Sequence, residues 1–292
     1  MNLCGVGPGS NVFTIVGRPL WLLLATVVPL ATEAQIVTYT DLNPIGSIDS
    51  EACATSGSQQ YGRAVLGRSW HAGTWSGTAA SFIDLHPAGV SGSYIFASAG
   101  GQQAGSVYVG GEFHAGFWWG TASSFVDLHP AGATLSHAVA TSGRQQGGYA
   151  VVEGHRHASL WSGTAASFVD LHPAGTSESE ITAMSGSYQV GYADYRAALW
   201  SGTPRSFVDL NPKGASSSYA YGVAGKQQVG FATVNELTHA GVWHGTAASF
   251  VDLNPPVAYH SGLFATTGKY QVGQVGIGGP YRAGLWAGTA AS

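Results

Sequence analysis

Between Tyr94 and Pro130 the chain alternates short apolar runs with glycine corners. Tyr94-Ile95-Phe96-Ala97-Ser98-Ala99 ends at Gly100-Gly101, and Gln103-Ala104-Gly105-Ser106-Val107-Tyr108-Val109 ends at Gly110-Gly111. His114–Trp118, a Gly120-Thr121 turn, and Ser124–Leu128 closed by Pro130 follow. The runs are rich in aromatic and β-branched residues, and none offers helical spacing. They predict four antiparallel strands, A to D. Strand D carries Phe125 on one face and Val126 and Leu128 on the other. A sheet apolar on both faces has to be covered on both, which stacked copies of itself achieve.

Those copies are present. The tryptophan of the HAxxW element recurs at Trp75, Trp118, Trp161, Trp200, Trp243 and Trp286, at intervals of 43, 43, 39, 43 and 43. The DLxP aspartates keep the same register at Asp41, Asp84, Asp127, Asp170, Asp209 and Asp252. So do the glutamines Gln60, Gln103, Gln146, Gln189, Gln228 and Gln271. A four-residue deletion falls between Gln189 and Trp200. Units of about 40–45 residues with four strands are the pattern of β-propeller blades. The position six before each Gln is Ala54, Ala97, Ala140, Ala183, Gly222 or Ala265, small as an innermost strand near an axis requires.

The chain starts its repeat with a lone D strand, Ile36–Asn43, and its last unit, ending LWAGTAAS at Ser292, lacks one. If the first completes the last, six four-stranded antiparallel blades close into a ring, which removes two exposed sheet edges. The expected fold is therefore an all-β, six-bladed propeller over residues 35–292, closed by its N-terminal strand.

The segment before it has another character. Arg18 precedes the apolar run Pro19–Ala31 and then Thr32-Glu33-Ala34. That order predicts a secretory signal peptide over residues 1–34, with an uncleaved anchor as the alternative. The run is short of the ~20 residues a membrane span needs, so no span is expected in the mature chain. Its removal takes Arg18 and Glu33 together and leaves the net charge at −4. No basic stripe marks a nucleic-acid partner. Cys4 lies in the removed part, leaving Cys53 alone and no intramolecular disulfide. Charged residues are 9% of the chain, against about 25% in typical domains. With 45% hydrophobic residues the chain is not disordered but packed through both faces of its sheets.

With its repeated HAxxW and DLxP elements, the mature chain resembles the extracellular HAF-repeat family. His71-Ala72 and His114-Ala115 match the family's His-Ala pair, Arg196-Ala197 departs from it, and Gly, Ser or Ala replaces the family's Phe. The resemblance implies secretion and repeat architecture, and no activity.

Repetition also bears on chemistry. A catalytic centre needs one asymmetric cluster, so the rings of Asp, Gln and Trp read as structure. Aspartate is expected partly buried and bonded to a Thr or to backbone N–H groups of a turn, Gln to bridge strands or blades, and Trp to fill the gap between blades. Exposed tryptophans would instead serve as sugar platforms. The C–D pairing sets His114 opposite His129, His71 opposite His86 and His157 opposite His172. Two such imidazoles could ligate a metal ion, but units four to six read Arg196/Asn211, His239/Asn254 and Arg282/Asn43. This favours a polar pair, and neither a metal nor a cofactor is assigned.

Variation concentrates in the B–C and D–A loops, which share one face, and Tyr94, His137, Glu180, Tyr219 and Tyr259 would ring the channel mouth there. With His114 and His129 they are the candidate binding residues, and no residue is assigned as catalytic. The expected function is a secreted or periplasmic, monomeric, non-enzymatic binding or scaffolding module for a glycan or extracellular protein. The alternative is a polysaccharide hydrolase or lyase using Glu180, Glu178 or a histidine.

Overall fold

A computed structural model describes residues 39–287. Leu42 onward forms one compact unit. Six sheets follow one another along the chain, each an antiparallel meander in sequence order. The first holds β1 (Ser50–Ser56), β2 (Gln59–Leu66), β3 (Ser69–Trp75) and β4 (Ile83–Asp84). The second holds β5 (Gly92–Ala99), β6 (Gln102–Val109), β7 (Glu112–Trp118) and β8 (Val126–Asp127). The third is β9 (Leu135–Thr141), β10 (Gln146–Val152), β11 (His155–Trp161) and β12 (Val169–Asp170). The fourth is β13 (Ser179–Ser185), β14 (Tyr188–Ala193), β15 (Arg196–Trp200) and β16 (Val208–Asp209). The fifth is β17 (Ser217–Ala224), β18 (Gln227–Val234), β19 (Leu237–Trp243) and β20 (Val251–Asp252). The sixth has three strands, β21 (His260–Thr266), β22 (Gln271–Gly276) and β23 (Tyr281–Trp286).

Each strand A carries a β-bulge at one position, skipping Cys53, Phe96, Val139, Thr182, Tyr221 and Phe264 in turn. A bulge bends and twists its strand, and here it brings the backbone of strand A close to strand B. The glycine opposite is consequently obligatory: a Cβ on Gly105 would lie 1.8 Å from the Tyr94 carbonyl oxygen, and one on Gly230 1.9 Å from that of Tyr219. The B–C corners are two-residue turns with both central residues at positive φ in units two to five, such as Glu153 at 52° and Gly154 at 86°. This is the type I′ turn whose twist suits adjacent strands.

Strand D is shorter than its sequence suggests. The first residue of the expected strand, Ser124, belongs to a single-turn 3-10 helix, Ala122–Ser124 in unit two, and only Val126–Asp127 forms a strand paired with strand C. The cause is Ser124, whose Oγ accepts the Trp119 N–H at 2.8 Å and donates to the Thr121 carbonyl at 2.6 Å. A local serine turn here replaces two ladder positions, and Ser81, Ser167, Ser206 and Ser249 repeat it. The predicted register nevertheless holds, with Gly116 opposite Asp127 and Phe117 opposite Val126.

The core lies between sheets. Val190, Leu199 and Leu210 of the fourth sheet enclose Trp243 of the fifth together with Ala220, and Tyr61, Ala72 and Leu85 of the first enclose Trp118 of the second. Burying side chains of this size stabilises by roughly 1.5–3 kcal/mol each. The expected closure is not formed. Tyr39–Asn43 make no strand, residues 36–38 lie outside the described residues, and β23 has no fourth partner. The signal-peptide segment 1–34, Cys4 and residues 288–292 also lie outside them. No helix among the described residues is long and apolar enough to cross a membrane.

Candidate functional site

The repeated polar residues resolve into a latch that joins each blade to the next. His71 Nδ1 lies 2.8 Å from Asp84 Oδ2, and Asp84 Oδ1 accepts the His86 N–H at 2.8 Å. Asp127, Asp170, Asp209 and Asp252 repeat the pattern, with Arg196 replacing histidine at Asp209. The carboxylates are partly buried, 36–48% exposed, and a backbone N–H is among their donors as expected; the other partner is a strand C imidazole or, at Asp209, a guanidinium, in place of the expected threonine. The next link is a serine. Ser93 Oγ accepts the Ala72 N–H of the preceding blade at 2.8 Å and bonds His86 Nδ1 at 2.8 Å, while His86 Nε2 reaches the Val90 carbonyl at 3.2 Å. Since a carbonyl only accepts, Nε2 carries the proton and Nδ1 accepts from Ser93. An asparagine amide supplies the same donor and acceptor. Asn211 donates to the Ala215 carbonyl at 3.1 Å and accepts from Ser218 at 2.7 Å. His-for-Asn exchange between units is thus neutral to the latch.

This arrangement explains the histidine pairs. The rings of His114 and His129 stack at 3.9 Å with an interplanar angle of 10°, and the other two pairs do likewise. Glu112, His114 and His129 have ligand atoms within 4.8 Å of one another. Both nitrogens of His129, however, are bonded, to Ser136 at 2.9 Å and the Ala133 carbonyl at 3.0 Å. Parallel rings do not direct two lone pairs at one ion, so the trio suits a latch better than a metal centre. Burial and then the neighbouring imidazole lower the pKa of His86 and His129, consistent with a neutral ring.

The glutamines clamp turns within a blade. Gln103 Oε1 accepts the Gly120 N–H at 2.8 Å and its Nε2 donates to the Gly101 carbonyl at 2.8 Å. Gln60, Gln146, Gln189 and Gln228 receive the equivalent glycine N–H groups, and Gln146 also crosses to Gln102 of the preceding blade at 2.7 Å. The six ring tryptophans are at most 2% exposed, which removes them as sugar platforms.

Asymmetry is concentrated elsewhere, at one cross-strand pair of strands A and B near the B–C corners. The pairs are Glu51/Arg63, Tyr94/Ser106, His137/Tyr149, Glu180/Tyr192, Tyr219/Phe231 and Gly262/Gln274. The strand A member reaches back to the preceding blade. Arg63 lies over Tyr94 at 5.2 Å and over Trp70 at 4.5 Å, and pairs with Glu51 at 2.6 Å. His137 contacts Ser106 at 3.1 Å and the Phe113 ring at 4.9 Å. Glu180 Oε2 accepts from Arg156 at 3.0 Å and from Tyr192 at 2.9 Å, with Arg156 stacked over Tyr149. Tyr219 meets Tyr192, Tyr195, Tyr221 and Phe231 with centroids 5.2–6.5 Å apart. Aromatic rings therefore run across the gaps between blades on the variable face.

Burial is the first cause of the pKa shifts here. It holds the His137 pKa down at about 4, with Arg156 adding to the effect, and raises that of Glu180 despite the opposing pull of Tyr192 and Arg156. A neutral imidazole and a carboxylate whose Oε2 already accepts two donors are packed groups rather than a poised acid–base pair.

Of the sequence-predicted site residues, the structure gathers Tyr94, His137, Glu180 and Tyr219 at equivalent positions. Tyr259 does not belong with them. Its unit has Gly262 there, while Tyr259 sits in the D–A loop and bonds the Gly279 carbonyl. His114 and His129 belong to the latch. Sequence reasoning overlooked the serines Ser93, Ser136, Ser179, Ser218 and Ser261, each at most 2% exposed and each ten residues before its Gln. Their fixed spacing, which Ser50 shares, was the available signal.

No protein-family model matches the chain, and no curated protein does. Among solved structures, the crystal structure of puromycin hydrolase is similar with a TM-score of 0.53 at 11% identity, covering 74% of this chain and 40% of that one. A mutant of the same hydrolase complexed with PGG gives a TM-score of 0.58 at 10% identity, covering 82% and 44%. The chain spans less than half the length of these two proteins. Likeness at such identity bears on fold alone, and the fold is all-β and β-propeller-like.

Proposed function

We propose that this protein is a secreted, non-enzymatic binding module of the HAF-repeat type, a closed six-bladed ring that holds a glycan on its B–C and D–A face. The observation that carries the reading is that one cross-strand pair on that face differs in every unit while the latch beneath it repeats. A rigid frame presenting a varied, aromatic-rich rim is suited to recognition. A glycan fits better than a protein surface because the inter-blade positions are rich in aromatic rings, and the guanidiniums beside them, Arg63 and Arg156, are paired within the chain. Tyrosine faces and hydroxyls remain, and these match the C–H faces and hydroxyl edges of sugars.

Closure is supported by the turn after the N-terminal DLNP element. Asn43 donates to the Ser47 carbonyl at 3.0 Å, as Asn211 does to Ala215, and Ser47 N–H bonds the Pro44 carbonyl at 3.0 Å. The turn that in other units leads strand D into the next blade is thus already made at residues 43–47.

The test is retention of the full-length protein on immobilised polysaccharides. Retention is expected to be lost in the Tyr94→Ala/Tyr219→Ala variant and kept in Lys226→Ala/His244→Ala, whose residues sit on the opposite face. A protein that no polysaccharide retains is not a glycan-binding module.

A further inference from the structure

The deletion in unit four makes one B–C corner unlike the rest. Strands β14 and β15 are 6 and 5 residues long, against 8 and 7 in unit five. The turn between them is Asp194-Tyr195, at φ 46° and 64°. Tyrosine is poorly suited to that region, where glycine or asparagine is at ease. Tyr195 is nonetheless 66% exposed, so burial does not compensate for the strain. Glu236 takes the same conformation at 68° in unit five, so the turn type is shared and the exposed aromatic ring is what sets unit four apart.

The corner is held from three sides. Asp194 Oδ1 accepts the Ser177 and Glu178 N–H groups at 2.8 and 3.0 Å, Asp194 N–H bonds the Glu178 carbonyl at 3.0 Å, and the Tyr195 carbonyl accepts the Ser218 N–H of the next blade at 2.8 Å. The exposed ring is therefore fixed at its backbone. It stands edge-on to Tyr219 at 75°, and Tyr192 meets Tyr219 at 59°. Three tyrosines at steep mutual angles, backed by Phe231, form a corner of ring faces between the fourth and fifth blades.

The charges around it select the occupant. Glu180 is bonded by Arg156 and Tyr192, Asp194 by two backbone N–H groups, and Arg196 by Asp209 at 2.5 Å, while Glu178, held to Asp194 through its backbone, leaves an exposed carboxylate beside the corner. An acidic sugar needs an uncompensated cation, and the Glu178 carboxylate opposes such a sugar here. The corner provides ring faces and the hydroxyls of Ser217 and Thr233 on the adjoining strands.

We infer that the Tyr192, Tyr195 and Tyr219 corner is the principal subsite, and that it stacks a neutral sugar ring of a polysaccharide. This rests on the glycan-binding reading above and narrows it to one gap and one charge class. The decisive variant is Tyr195→Asn, which removes the ring and suits the left-handed turn. Binding of the full-length protein to a neutral β-glucan, a neutral mannan and an anionic alginate is measured by affinity electrophoresis, with thermal unfolding in parallel. The expected result is binding to a neutral polysaccharide that weakens at least about tenfold in Tyr195→Asn, with an unfolding midpoint equal to or above that of the parent. Tyr195→Phe is expected to bind as the parent does. Parent-like binding by Tyr195→Asn, together with loss in Tyr94→Ala, would overturn this subsite and leave the broader reading standing. Preference for alginate, or a protein ligand that free oligosaccharide does not displace, also overturns it. Absence of any polysaccharide binding removes the broader reading and this one with it.

Discussion

Five seams between blades are built alike, and the sixth, between the last sheet and the first, is not. At the built seams Ala72, Ala115, Ala158, Ala197 and Ala240 are fully buried, and each donates its N–H to the serine of the next blade. Leu85, Leu128, Leu171, Leu210 and Leu253 are equally buried, each returning an N–H to the same alanine's carbonyl. At the sixth, Ala283 is exposed and Leu42 and Ser50 only partly buried. Val272 and Leu285 are 46% and 63% exposed, whereas their counterparts Val190 and Leu199 are 0% and 6%. Trp286 shows why. In unit five Phe250 of strand D lies over Gly241, but in unit six the Trp286 ring lies over Gly284, and Tyr39, the residue in register with Phe250, is 87% exposed. The tryptophan has moved into the place of the strand D aromatic and donates its indole N–H to the Leu253 carbonyl at 3.1 Å, whereas the other five indoles find no acceptor. The same residues thus make a core or an apolar surface, depending on whether a strand D covers them.

Leu253→Ala, at a built seam, is expected to cost about 2–5 kcal/mol in chemical denaturation. In a closed ring Leu42→Ala costs a similar amount. In an open one its partial burial limits the loss to less than half of that. A smaller effect tests the variable position. His137 has its folded pKa depressed to about 4, so the folded state stays neutral while the unfolded chain takes up a proton below its ordinary value of about 6.5. Its contribution is fully present above that value and is lost as pH falls towards 4, on the order of 2–3 kcal/mol. Comparison of thermal unfolding at pH 7.5 and 4.5 should therefore show a smaller acid loss in His137→Phe than in the parent. Equal losses would mean that His137 is solvated and that its gap between blades is open.

The strand order, the repeat register and the opposition of His114 and His129 were legible because each rests on spacing, which side-chain period and pairing geometry fix. Strand D was read too long because Ser124 forms a local turn that competes with the ladder, and hydroxyl turns leave little trace in apolar patterning. The latch was half legible. His and Asp stood out as chemistry, while Ser93 and its equivalents, small residues of ordinary type, did not. Tyr259 lies in the D–A loop and bonds the B–C loop of its unit, but three residues away from the register that Gln271 and Gly262 keep. The Tyr195 corner was visible only as a gap in the count. Its φ, its exposure and its hold on Ser218 are properties of a backbone path that four missing residues redirect.

The most direct measurement is amide hydrogen exchange at Ala283 in the full-length protein, read beside Ala240. In a closed ring the Ala283 N–H donates to Ser50 as Ala240 does to Ser261 at 2.9 Å, and both amides exchange only by cooperative opening. A closed ring gives protection at Ala283 within about tenfold of that at Ala240, lost selectively in Ser50→Ala. Exchange at Ala283 as fast as in an unfolded peptide, with Ala240 protected, would contradict it.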